Sequence, residues 1–140
     1  MMAKGKVRGN KPSSLGTRLP EAPPPLSYDE ENPKFCLRYL RTGFDVHALS
    51  PQRQAAFAKT LQKLAASQWK ELITSPYKGQ GIELLPVGQI KPSLPARFGG
   101  QPKVMVFRYD GKLPMAGVRV RDVYHVLWIE PEFNQLYNHE

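Results

Sequence analysis

The run from Lys103 to Ile129 leaves this chain little choice of fold. It reads Lys103-Val-Met-Val-Phe-Arg-Tyr, then Asp110-Gly111-Lys112, then Pro114-Met-Ala-Gly-Val-Arg-Val-Arg-Asp-Val-Tyr-His-Val-Leu-Trp-Ile. Valines and aromatics recur at a period of two, and such side chains fit a pleated, half-buried surface better than a helix. Asp110-Gly111 between two apolar runs is a strong hairpin signal, because glycine takes positive φ without steric cost. Arg121-Asp122 marks a second reversal. Three consecutive antiparallel strands are therefore expected.

Upstream, Lys34-Phe-Cys-Leu-Arg-Tyr alternates Phe35, Leu37 and Tyr39 against Arg38, which predicts another strand. Ser50-Pro51 opens a helix, with serine as N-cap and proline where its missing N–H is harmless. Phe57, Leu61 and Leu64 form its apolar stripe, and Arg53, Lys59, Gln62 and Lys63 lie off it. Ser67 begins a further helical turn bearing Trp69, Leu72 and Ile73, ended by Ser75-Pro76, as one kinked helix or two. Ile82–Leu85 is short enough to be an edge strand. Tyr77–Gly81 reads as a loop, and residues 86–102, with four prolines and three glycines, as a long irregular connection. After the Glu130-Pro131 break, Phe133, Leu136 and Tyr137 fold back as a short helix or a last strand.

The expected fold class is α+β: an antiparallel sheet of about four strands with a helix or helical hairpin packed on one face. It forms a single domain over 34–140. Residues 1–33 hold six of the fourteen prolines and few large apolar residues. They read as a flexible, Pro-rich basic tail, because so little burial does not offset ordering entropy.

Net charge is +8, and residues 1–32 hold five basic and four acidic side chains, so almost the whole excess belongs to the folded part. That balance suits a polyanionic partner, either nucleic acid or an acidic protein. The single cysteine, Cys36, leaves no internal disulfide and fits a reducing compartment. With no apolar run near the roughly 20 residues of a membrane helix and no apolar leader core, a cytoplasmic protein with no membrane partner is expected. His47, His125, His139 and Cys36 show no metal-ligand spacing, and Gly79-Gln-Gly81 and Gly99-Gly100 are not phosphate loops, so no metal and no cofactor is expected.

Metal-free RNA cleavage needs an acceptor for the 2′-hydroxyl proton, a donor for the leaving 5′-oxygen, and positive charge on the phosphate. Arg108, Arg119 and Arg121 supply guanidinium groups, and Tyr124, His125, Tyr137 and His139 supply proton carriers. Strict alternation puts Val123, His125, Leu127 and Ile129 on one face and Tyr124, Val126 and Trp128 on the other, so Tyr124 and His125 do not serve one substrate unless a twist, bulge or strand end intervenes. His125 among apolar neighbours is more often a core residue than a base, and Trp69 and Trp128 are core residues on the same ground. Arg119 and Arg121 share a face, and Arg108 is expected to join them from the next strand on a side open to water. The same residues equally describe a solvated, arginine-lined sheet face.

With its helical region at 51–74, Val104-Met-Val-Phe-Arg-Tyr109 through Val123-Tyr-His-Val-Leu-Trp-Ile129, and the ending Leu136-Tyr-Asn-His139, the chain resembles the RelE/ParE toxin superfamily, in particular the YoeB-like ribonucleases. The resemblance runs over residues 34–140 and implies a β-α-α-β-β-β layout. It implies an endoribonuclease toxin acting on ribosome-bound messenger RNA and neutralised by an acidic antitoxin. Carried over, it makes Arg108 and Arg119 phosphate contacts, Arg121 an auxiliary one, and Tyr137 or His139 the proton-transfer group; Lys91, Arg97 and Lys103 are expected RNA contacts. The Pro-rich leader and the 86–102 connection are not typical of that layout. The closing pattern is also similar to a group of bacterial and mobile-element proteins, and a non-catalytic basic module binding nucleic acid or an acidic protein is the alternative function.

Overall fold

A computed structural model describes residues 28–74 and 82–139 of the chain. The leader expected over 1–33 falls, as far as residue 27, outside the described residues, and so does the Tyr77–Gly81 loop. The fold is α+β. Strands β1 (Lys34–Cys36), β2 (Glu83–Pro86), β3 (Lys103–Asp110), β4 (Leu113–Val120) and β5 (Val123–Ile129) form one sheet in the order β1-β5-β4-β3-β2. The short β2 brings the count to five where about four were expected. The sheet is mixed rather than wholly antiparallel, because β1 pairs in parallel with β5, Lys34 opposite Val123. These two strands are joined through the whole intervening domain rather than by a hairpin, so no turn dictates their direction.

The helical region is two helices, α1 (Pro51–Ala65) and α2 (Trp69–Thr74). Ser50 Oγ accepts the Arg53 amide at 3.3 Å, and after the break the Glu71 carboxylate accepts the Gln68 amide at 2.8 Å, so each start has a local acceptor. Phe57, Leu64, Trp69 and Leu72 are buried against Phe107, Tyr109, Met115, Tyr124, Val126 and Ile129. Thr60 Oγ1 adds a bond to the Tyr109 carbonyl at 3.1 Å. Residues 28–33, expected to be tail, instead dock here: the Trp69 and Lys70 amides donate to the carbonyls of Glu31 (2.9 Å) and Asp29 (2.8 Å), and Asn32 donates to the Ala65 carbonyl at 2.8 Å. They supply acceptors that the free start of α2 lacks.

The opposite face of the sheet is covered too, by connecting chain whose only regular pieces among the described residues are short 3-10 turns at Val87–Gln89 and Ala96–Phe98. Val104, Val106, Ala116, Val118, Leu127 and Trp128 are buried under Ile90 and Phe98 of the 86–102 connection and Leu136 of the C-terminal segment. The Lys91 amide donates to the Leu136 carbonyl at 2.8 Å and joins the two covering segments. Among the described residues no helix is long and apolar enough to cross a membrane.

A bulge corrects the expected alternation in β5. Ala116 pairs with Trp128 but Gly117 pairs with Val126, so Leu127 is an extra residue. Tyr124, Val126 and Ile129 therefore face the helices, while Leu127 and Trp128 face the covering loops. Gly117 permits this close approach, since a Cβ there would lie 1.9 Å from the His125 carbonyl oxygen. Gly117→Ala is expected to cost about 3 kcal/mol, because the obstacle is backbone that no rotamer change relieves. A shift in the denaturant midpoint of that size, at unchanged m-value, is the check.

Candidate functional site

Alternation along β3 sends Phe107 and Tyr109 to the helix side and Val104 and Val106 to the outer side, and exposed Arg108 goes with the latter pair. Arg119 goes the other way. It shares a face with Met115, as expected, but α2 covers that face. The Arg119 guanidinium lies 4.3 Å over the Trp69 ring, Nη2 is 2.8 Å from Asp29 Oδ1, and Nε donates to the Arg121 carbonyl at 2.7 Å. With its side chain 17% exposed, Arg119 holds residues 28–33 to the sheet. The expected convergence of Arg108 and Arg119 on one water-facing surface does not occur. Arg121 occupies the β4–β5 turn at φ 60°, while Arg108 pairs with Pro114 at the opposite end of β4.

Arg108 lies on the side of the C-terminal segment, near enough for its charge to act on Tyr137. Glu130, directly after β5, is 0% exposed. Its amide donates to the Pro114 carbonyl at 3.0 Å, and its carbonyl accepts the Tyr109 hydroxyl at 2.7 Å. The carboxylate has two partners, both from the chain that follows: Oε2 accepts the Leu136 amide and Oε1 accepts His139 Nε2, each at 2.7 Å. A buried carboxylate demands such donors, so the chain must reverse. The reversal runs through Asn134 at φ 71°, whose side-chain oxygen accepts the His139 amide at 2.8 Å and whose carbonyl accepts Lys91 Nζ. Arg53 of α1 donates to the Pro131 carbonyl and ties the segment's start to the helix.

This reversal sets the Tyr137 ring 4.4 Å from the His139 ring, with Phe133 edge-on at 5.1 Å. Burial, then the Glu83 and Glu130 charges, push the Tyr137 phenol up to about 12, partly offset by Arg108. The phenol therefore keeps its proton across the neutral range, and Arg108 is near enough to act on it. A cleft of about 490 Å³ opens beside Tyr137 and Asn138, floored by Gly88–Lys91. Because Nε2 of His139 is taken by a carboxylate that accepts, Nδ1 is the nitrogen left for exchange, and among the described residues no hydrogen bond reaches it. The His139 side chain is 22% exposed.

Of the expected site residues, Arg108, Tyr137, His139 and Lys91 are brought together. Arg119 and Arg121 are not, Lys103 is exposed at the start of β3, and Arg97 lies 4.7 Å over the ring of Tyr39. Glu130 and Glu83 were not among the candidates. The signal for Glu130 was an acid placed directly after a strand of buried apolar residues, a position where a carboxylate has to find donors.

A second group of rings lies on the outer side. Phe98 is 5.3 Å from His125 and 5.5 Å from Tyr39, and Tyr39 is 5.8 Å from His125. Burial first, then the Arg97 charge, lower the His125 pKa. A lowered folded pKa means that the stability this histidine contributes is present above the unfolded value of about 6.5 and is lost as pH falls from there through the folded value. No protein-family model, no curated protein and no solved structure matches the chain.

Two outcomes follow from this geometry. Arg97→Gln is expected to raise the His125 pKa, read from its ring-proton shifts by NMR, with burial still holding it below the ordinary value. Glu130→Gln is expected to destabilise the protein by about 2 kcal/mol in denaturant unfolding, since one of two buried bonds to the carboxylate is lost or reversed.

Proposed function

We propose that the protein is a metal-independent endoribonuclease of the RelE-like kind, acting on messenger RNA. The observation that carries this reading is the His139 imidazole, held by buried Glu130 beside Tyr137 on the side of the sheet that bears Arg108. In the proposed reaction the 2′-hydroxyl oxygen attacks the adjacent phosphorus and its proton passes to His139 Nδ1. The imidazolium so formed is stabilised by the Glu130 carboxylate, the arrangement by which a carboxylate orients a general base.

Arg108 and Lys91, both near Tyr137, hold the non-bridging oxygens as charge grows on them. The bond to the 5′-oxygen breaks, and the protonated Tyr137 phenol donates to it. The products are a 2′,3′-cyclic phosphate and a free 5′-hydroxyl, and His139 returns its proton through solvent to the phenolate. An acidic antitoxin seated over Arg108 and Lys91 would neutralise this site by charge and by exclusion. Arg119 has no part in the chemistry in this reading; its work is structural.

The test is incubation of the purified protein with RNA, with and without ribosomes, in the presence of a chelator. Cleavage leaving cyclic phosphate ends is expected. Arg108→Ala should lower the rate at least about a hundredfold at unchanged thermal stability, and His139→Ala should lower it as far while also lowering stability, because it leaves buried Glu130 one donor short. Arg119→Lys should alter stability more than rate. RNA that is bound but never cut, or cleavage indifferent to His139→Ala, overturns the assignment.

A further inference from the structure

The strongest feature outside the Glu130–His139 site is an unbalanced pair of positive charges on one aromatic ring. Tyr39 lies just beyond β1, half-buried, its ring fixed by Phe98 and His125. Two guanidinium groups approach that ring, Arg97 at 4.7 Å and Arg38 at 5.6 Å from its centroid, and both arginines are exposed. The ring face attracts each of them, but the two like charges repel one another.

Among the described residues neither arginine belongs to an ion pair, although Lys34, Arg53, Lys70, Arg119 and His139 each have a carboxylate. The Arg97 charge is felt by His125, which fits a cation not neutralised locally. Such a pair is completed by an anion. A guanidinium held near a ring keeps N–H groups for other partners, and that fork matches phosphate oxygens.

We infer that Arg38, Tyr39 and Arg97 form a phosphate-binding site for a single-stranded nucleic acid. An unpaired base can pack against the exposed guanidinium planes and the half-buried Tyr39 ring, while the N–H groups take the flanking phosphates. The basic excess of the folded part draws the same polyanion. An acidic peptide would satisfy the charges but offers no base plane to pack against the guanidinium groups and the Tyr39 ring. This site concerns binding alone and does not depend on RNA being cleaved.

The probe is a single-stranded 2′-O-methyl oligonucleotide, which lacks the 2′-hydroxyl needed for cleavage, titrated against the full chain by fluorescence anisotropy at several salt concentrations. The variant carrying both Arg38→Gln and Arg97→Gln should bind at least about tenfold more weakly at 0.1 M salt. Its plot of log affinity against log salt should flatten by about 1.4, the value for two lost contacts to a single strand. Tyr39→Leu, which changes no charge, should also weaken binding, whereas Tyr39→Phe should not.

The arginine variants should keep the circular dichroism of the parent, since both arginines are exposed, and Tyr39→Phe controls for the half-buried ring. An unchanged salt slope in the double variant overturns the inference. So does poly-glutamate binding as tightly with the same arginine dependence, which would assign the site to an acidic protein. Loss of cleavage in His139→Ala with this binding intact separates a failure of the ribonuclease reading from a failure of this one.

Discussion

A carboxylate without access to water organises the second half of this protein. Glu130 follows the last residue of β5 and is wholly buried, so its oxygens must be met by donors. Both donors, the Leu136 amide and His139 Nε2, lie within the next nine residues. Meeting them turns the chain back across the sheet. That one requirement seals Leu136 over Leu127 and Trp128 and sets Tyr137 and His139 where Arg108 emerges. The backbone of the same residue receives the Tyr109 hydroxyl, and the Tyr109 carbonyl receives Thr60 of α1, so the helix side and the outer side are joined through one residue pair.

The second constraint is the bulge opposite Gly117. By inserting Leu127 it lets Leu127 and Trp128 both turn outward while Val126 and Ile129 turn toward the helices, and it sorts two cores from one strand. The three arginines of the meander are sorted by the same pleat. Arg119 on the covered side becomes a structural cation between Trp69 and Asp29, Arg121 takes a left-handed turn position, and Arg108 alone is delivered to the outer surface. Residue type did not separate these roles; the side of the sheet did.

The α+β architecture, the N-cap at Ser50 and the reversal at Arg121-Asp122 were legible because each rests on local chemistry: period, cap and turn. The turn at Asp110-Gly111-Lys112 was equally local, and Gly111 indeed takes φ 59°. The parallel pairing of β1 with β5 was not legible, since nothing local in Lys34–Cys36 records which strand it meets. The bulge was hidden for a related reason, because Gly117 reads as a weak strand residue until the His125 carbonyl is seen beside it. Of the site, Arg108, Tyr137 and His139 could be named from residue type. Glu130 could not be given its role, because its donors at Leu136 and His139 are brought back to it by a chain reversal that no local pattern announces. Arg119 was misjudged because a strand pattern tells which residues share a face, not whether helices cover that face.

The claim that most of this depends on is that the C-terminal segment is docked through His139 to Glu130. Imidazole nitrogen NMR of the full chain tests it directly. A ring whose Nε2 carries the hydrogen, exchanges slowly with water and shows cross-relaxation to the Tyr137 and Phe133 ring protons is the predicted result. A His139 ring that averages freely in solvent, with no contact to Tyr137, would contradict the account.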